Sequence, residues 1–376
     1  SLRAEVDKLG LAHLYETIDF PLASVLARME AAGIRVDKNE LDIISTKAQE
    51  EIARLEKDIH EIAGFEFKIN SPQQLAEVLF DKLNLQPPRR SRAKSRSTAA
   101  EVLEELAALH DLPKKVLEYR EIAKVKSTYA DSLPRLIDPI TGRLHTRFSQ
   151  TGAVTGRLSS ANPAHLSEDA ILTDAFRRGE DIHSRTAQEV FGVLPLEQTR
   201  EHRRVAKVIN FGVIYGLSPF GLAQNLGIDT KEAAKFIAAY FERYSGVKKY
   251  LDRQIAETRK SGYTKTLFGR IRPMPEITSP QANMRNFAER TAMNTPMQGA
   301  AADLIKLAMI ELDRRLRGSF ESQMILQVHD ELLFEAPEKE IQRLTGVVKE
   351  VMETVYKLRV PLLVETKVGP NWRDMK

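Results

Sequence analysis

The sequence predicts a mixed α/β fold that is mostly helical, and three observations carry this expectation. Apolar residues recur at three- and four-residue spacing over residues 19–137 and again from about Glu180 to Leu267, the signature of amphipathic helices. Period-two alternation is confined to short runs, such as Leu144 to Gln150. Two apolar runs, Met324–Val328 and Leu332–Glu335, flank the polar triplet His329-Asp330-Glu331, the pattern of a tight antiparallel hairpin.

Taken in order, Leu22, Val25, Leu26, Met29 and Ala32 make the first helical stripe. Leu41, Ile44, Ala48, Ile52 and Leu55 make a longer one, with Ile59 and Ile62 beyond, and Val102, Leu106, Leu109, Val116 and Tyr119 add further helix. Between them, Arg89–Arg96 holds five cations in eight residues without a carboxylate, after Pro87-Pro88. Thr98-x-x-Glu101 reads as a capping box opening the next helix, which makes the basic run a loop: a solvated one, or in a DNA-binding protein a phosphate-contacting tip. Asp138-Pro139-Ile140-Thr141-Gly142 is a turn. The following run sets Leu144, Thr146 and Phe148 on one side and His145, Arg147 and Ser149 on the other, as in a strand. Val360–Lys367 reads as another strand before Gly369-Pro370-Asn371-Trp372.

The 376 residues suffice for two or three domains. Hydrophobic content of 42% and charged content of 29% are ordinary for a globular protein. The apolar runs fall far short of a membrane span, and the mixed-charge stretch Ser1–Gly10 has no secretory character. With no cysteine, the chain has no disulfide, thiolate chemistry or cysteine-based zinc site, which is compatible with a cytoplasmic location. A net charge of +4 leans mildly toward polyanionic partners. No Gly-x-x-x-x-Gly-Lys-Ser/Thr loop occurs, which argues against a P-loop kinase.

Arg203, Lys207, Phe211 and Tyr215 lie four apart, so on a helix two cations and two rings share one broad face. Such a face commonly divides into core and solvated surface. It also matches a nucleoside triphosphate, with cations for phosphate oxygens and rings for a base. Arg290, Asn294 and Gln298 repeat the spacing, giving a polar helix face or a set of donors for minor-groove atoms shared by all base pairs. Asp330 and Glu331 sit where a hairpin would turn. That is a common place for polar residues, and also one where carboxylates can hold divalent ions.

With Thr155-Gly156-Arg157-Leu158-Ser159-Ser160 upstream and Leu326-Gln327-Val328-His329-Asp330-Glu331 downstream, the chain resembles the family A DNA polymerases, specifically their large-fragment polymerase domain. The resemblance implies a right-hand fold: residues 1–18 the remnant of a preceding exonuclease-like domain, 19–137 thumb, 138–179 the first part of the palm, 180–280 fingers, and 281–376 the second part of the palm with its antiparallel sheet. It implies template-directed DNA synthesis from dNTPs on primer-template DNA by a monomer, with two Mg²⁺ ions that Mn²⁺ can replace. Asp330 would be a metal ligand, Glu331 would support it, and His329 would lie near the primer terminus. Lys207 would face the triphosphate and protonate pyrophosphate, Arg203 and His183 would contact phosphates, and Phe211 and Tyr215 would form the wall for the base. Phe at position 211 implies poor acceptance of dideoxynucleotides. Arg157, Arg290, Asn294 and Gln298 would contact DNA. No acidic exonuclease cluster accompanies these motifs, so proofreading is not expected.

The chain departs from the family after Ser159-Ser160-Ala161-Asn162-Pro163. There the family continues into a palm strand that ends in an aspartate binding both metals, followed by a glutamate that excludes ribonucleotides. Here Ala164-His165-Leu166-Ser167-Glu168-Asp169 follows directly and resembles the helix after that strand, so Glu168 and Asp169 are not replacements. Loss of the bridging ligand implies chemistry reduced by orders of magnitude, and loss of the strand exposes its neighbours' edges. Two expectations therefore stand side by side: a polymerase, and a polymerase-derived DNA-binding module without catalysis.

Overall fold

The structure is a computed structural model and describes residues 2–86, 96–151 and 167–375. Its longer elements are helices α1 (Phe20–Ala32), α2 (Lys38–Ala63), α3 (Ala100–Ala107), α4 (Asp111–Val125), α5 (Ala170–Arg177), α6 (Ile182–Phe191), α7 (Arg200–Ile214), α8 (Pro219–Leu226), α9 (Thr230–Arg243) and α10 (Ser245–Ser261). There follow the antiparallel hairpin β1 (Tyr263–Lys265) and β2 (Ile271–Pro273), helix α11 (Ala282–Leu316), a second antiparallel hairpin of β3 (Gln323–Val328) and β4 (Glu331–Glu335), and helix α12 (Ile341–Thr354). The fold is mixed α/β and mostly helical, as the periodicities require. Among the described residues no helix is long and apolar enough to cross a membrane. The chain divides into two compact units, Gly33–Thr146 and the combination of Ser1–Ala32 with Arg147–Lys376.

In the first of these units, Asp37 caps α2 by accepting from the Asn39 and Glu40 N–H groups. The apolar stripe of α2 then meets the other helices in a core built on Leu55, Ile59, Leu75, Leu79, Leu103, Leu112 and Val116. The capping box expected at Thr98 does not form. Helix α3 begins one residue later, behind Ala99, with no side-chain cap; Thr98 is buried, and its carbonyl accepts from Arg120 Nη1 at 2.6 Å. Of the basic run, residues 89–95 lie outside the described residues; Arg96 pairs with Asp81.

The spine of the other unit is α11, 35 residues long. Pro296 interrupts its hydrogen-bond ladder, since proline cannot donate to the carbonyl four residues back. That carbonyl, of Ala292, accepts instead from Thr264 Oγ1 on β1 at 3.4 Å. The stripe of α1 packs against α11 and β3: Leu22, Val25, Leu26 and Met29 meet Ile305, Met309 and Met324. The turn of the first hairpin delivers Arg270 onto α11. Its guanidinium binds Asp303 at 2.7 and 3.0 Å and, through both terminal nitrogens, Asp19 at 2.8 and 2.9 Å. Lys306 reaches Asp19 at 3.4 Å. Asp303 is 0% exposed, and burial pushes its carboxyl up against the pull of Arg270. Burial would also raise Asp19, but hydrogen bonds and charge from Arg270 and Lys306 outweigh it and hold the carboxyl below its ordinary range.

Three further sequence expectations are corrected. The helical stretch read through Leu267 ends at Ser261, and Tyr263–Lys265 forms β1. The Leu144–Gln150 alternation does not make a strand; only Leu144 bridges, to Ile34 and Ile137, all three within Gly33–Thr146. The Phe148 N–H is taken by the Glu30 carboxylate at 2.6 Å rather than by a neighbouring strand. Val360–Lys367 is also unpaired as a strand, and the Val364 N–H is satisfied by Glu353 at 3.0 Å. Alternation supplies a strand's faces, but a ladder needs a partner at the right distance.

Two outcomes test the ion cluster. Asp303→Ala leaves Arg270 buried with part of its charge unpaired, and the expected loss is about 3–5 kcal/mol, read from urea midpoints. Because the folded-state carboxyl of Asp19 is depressed, its contribution is present above its unfolded pKa, near 3.8, and is lost as pH falls through the folded value. The stability difference between the parent chain and Asp19→Asn should therefore shrink on acidification below that point; a difference independent of pH would refute the pairing.

Candidate functional site

Helix α7 is two-sided. Thr199 caps its N-terminus in a reciprocal box with His202. Ala206, Ile209 and Val213 are buried, while Arg203, Lys207 and Phe211 lie on the exposed side, Phe211 with 47% exposure. The helix stops at Tyr215 because Gly216 takes a positive φ of 70°. A Cβ on Gly216 would lie 2.6 Å from Met293 Cε and 2.9 Å from Arg290 Cγ, so a larger residue here would strain the backbone and push these two side chains of α11 aside. The close approach closes a cleft of about 600 Å³ lined by Lys207, Phe211, Tyr215, Ser218, Asn225 and Arg290, among others.

Four residues singled out in the sequence thus meet in one cleft: Lys207, Phe211, Tyr215 and Arg290. His183, on α6, lies beside it, its ring 5.6 Å from that of Phe211. Burial first, and then the cations of Arg203 and Lys207, depress its pKa below the usual histidine value against the opposing pull of Asp181. Arg203 binds Asp181, the N-cap of α6, at 2.5 Å, so its charge is partly spent within the protein. Asn294 stands behind Tyr215, donating to its carbonyl at 3.5 Å, while its own Oδ1 is buried without a partner among the described residues. Gln298, one turn further along α11, is half-buried and does not line the cleft. Arg157 lies outside the described residues.

The second hairpin turns on His329 and Asp330, between the paired residues Val328 and Glu331. His329 has φ 53°, a conformation costly for a residue with a side chain, and Gln327 Nε2 holds the turn by donating to the His329 carbonyl at 2.6 Å. The turn presents His329, Asp330 and Glu331 to solvent, and none of them lines the cleft. Asp330 and Glu331 are carboxylates suited to a hard cation, yet among the described residues no three His, Asp or Glu side chains gather in a metal-binding arrangement. Asp169 does not supply a third ligand: its carboxylate accepts from the N–H groups of Ile171, Leu172 and Gly246. Glu168 pairs with Arg359.

Sequence reasoning missed Gly216, Asn210 and Asp181. A polar residue on the apolar side of α7 was the available signal for Asn210, and an N-capping aspartate ahead of a helix was the signal for Asp181.

The profile of the family described as DNA polymerase family A matches residues 38–163 and 164–374. DNA polymerase I of Geobacillus stearothermophilus is 44% identical over 405 aligned residues, covering 96% of this chain and 46% of that protein. The thermostable DNA polymerase I of Thermus filiformis is 43% identical over 407, covering 97% and 49%. The chain spans about half the length of these curated relatives. Among solved structures, the POL domain of Pol1 from M. smegmatis, in complex with DNA primer-template and dNTP, superposes with a TM-score of 0.87 at 36% identity, covering 96% of this chain and 71% of that one. The family match divides between Pro163 and Ala164, and the Geobacillus alignment has more positions, 405, than this chain has residues, 376, so the relative carries residues absent here. Matched over most of its length by the family profile and by relatives above 40% identity, the chain belongs to DNA polymerase family A.

Proposed function

We propose that this chain binds primer-template DNA and a dNTP and takes part in template-directed extension of a primer 3′-end. The observation that carries the reading is the cleft of about 600 Å³ lined by Lys207, Arg290, Phe211 and Tyr215, which brings cations suited to phosphate oxygens together with rings suited to a base. Lys207 neutralises phosphate charge and is placed to give a proton to the leaving pyrophosphate. Arg203 and His183 extend the phosphate end, and Asn294 and Gln298 follow Arg290 along α11 as minor-groove contacts. In this reading residues 19–137 act as thumb, 180–280 as fingers, and 138–179 with 281–376 as palm, behind a remnant at 1–18, and the molecule works as a cytoplasmic monomer.

Mg²⁺, or Mn²⁺ in its place, would be held by Asp330 with Glu331 and His329 beside it. These two neighbouring carboxylates fall short of a two-ion site, which needs ligands converging from more than one segment. That shortfall, with the break at Pro163 and Ala164, favours a second reading: a DNA-binding polymerase domain whose own catalysis is weak.

Fluorescence anisotropy with a labelled primer-template, beside primer extension on the same DNA, separates the readings. Binding accompanied by extension orders of magnitude below that of a full-length relative is the expected result. Full-rate extension in Mg²⁺ would eliminate the second reading, and absence of both binding and extension would eliminate the first. Lys207→Ala should weaken dATP binding to the primer-template complex by about 10- to 100-fold, the worth of one charged hydrogen bond. Phe211→Tyr should raise the incorporation of dideoxynucleotides relative to dNTPs in extension assays supported by Mn²⁺; an unchanged ratio would remove Phe211 from the sugar-selecting wall.

A further inference from the structure

We propose that Asn210 is a positioning residue that holds His183 as a neutral imidazole with its proton on Nε2, leaving an Nε2–H donor for a phosphate group beside the cleft. Asn210 is 6% exposed on the apolar side of α7, where an amide is costly unless both of its ends are satisfied. Both are. Its Oδ1 accepts from Thr186 Oγ1 at 3.0 Å, its Nδ2 lies 3.0 Å from His183 Nδ1, and Thr186 Oγ1 is 3.1 Å from the hydroxyl of Tyr244. A hydrogen-bonded chain therefore runs from a fully buried phenol to a half-buried imidazole. An amide nitrogen donates and cannot accept, so the Nδ1 that faces it carries a lone pair and the proton sits on Nε2.

The surroundings favour the same state. From α7, Arg203 and Lys207 oppose an imidazolium, and Asp181, the anion beside the ring among the described residues, is engaged by Arg203 at 2.5 Å. Phe211 covers part of the ring without offering a hydrogen bond. A lone pair on Nε2 would repel a phosphate oxygen, whereas an Nε2–H donates to it without the histidine first taking up a proton. The buried chain thus spares the site a protonation step at neutral pH.

This inference rests on the nucleotide reading of the cleft, and the experiment keeps the two apart. Long-range ¹H–¹⁵N correlation of the histidine rings in the intact chain reports the tautomer directly. His183 is expected to show a protonated Nε2 and an unprotonated Nδ1 at pH 7.5, with Nε2 shifting when dATP is added in the presence of primer-template DNA. In Asn210→Asp, a near-isosteric change, the carboxylate accepts from Nδ1–H. The tautomer should invert and the protonation midpoint of His183 should rise by about one to three pH units. The dATP affinity of the variant should then fall about tenfold above that midpoint and recover below it, a pH profile that a merely structural role would not produce. A parent His183 carrying its proton on Nδ1, or a variant with unchanged tautomer and midpoint, overturns the proposal. Unaltered dATP affinity in Lys207→Ala overturns the nucleotide reading itself, whatever the tautomer.

Discussion

The Arg270 cluster is the constraint on which the larger unit depends. One guanidinium reaches Asp303 in the middle of α11 and Asp19 just ahead of α1, so three sequence-distant segments share one charge balance. Its geometry compensates the desolvation that burial imposes, because Arg270 donates to both carboxylates and Lys306 adds a second cation. The same hairpin that carries Arg270 also carries Thr264, which fills the hydrogen-bond gap left by Pro296. The path of α11 through the unit is thereby held at Ala292 and at Asp303, and with it the position of Arg290 and Asn294, which flank Ala292.

The cleft follows from that placement and from α7. A helix with one apolar and one polar side must bury the first and expose the second. Gly216, with its positive φ and no side chain, then brings the end of the exposed side against Met293 and Arg290 of α11. The buried side would be uniformly apolar but for Asn210, and its amide passes hydrogen-bonding information from Tyr244 and Thr186 to His183. Packing and polarity are thus not separable in this helix: the face that stabilises the unit also sets the protonation state of a residue at the edge of the cleft.

The segments around the second hairpin show what happens when strand-forming sequence lacks a partner. Among the described residues β3 and β4 form a two-stranded sheet, whereas Leu144–Gln150 and Val360–Lys367 carry strand-like patterns without joining a ladder. One amide in each, that of Phe148 and that of Val364, is met by a carboxylate, of Glu30 and of Glu353. The family match divides between Pro163 and Ala164, and the two strand-like runs satisfy these amides through side chains rather than through a ladder.

Periodicity by itself determined the helices α1, α2, α4 and α7, the β3–β4 hairpin, and the four-residue spacing that set Lys207 with Phe211 and Tyr215. These are local consequences of 3.6- and two-residue repeats, and no distant contact overrides them. Tertiary structure alone decided the rest. Thr98 is buried and does not cap α3, and beyond the bridges of Leu144 to Ile34 and Ile137 the run Leu144–Gln150 joins no ladder among the described residues. Arg290 reached the cleft because a glycine 74 positions away allows close approach, and Arg203 met Asp181 across two helices. A sequence displays which groups a segment offers; which of them are answered depends on neighbours that only the folded chain brings within hydrogen-bonding distance.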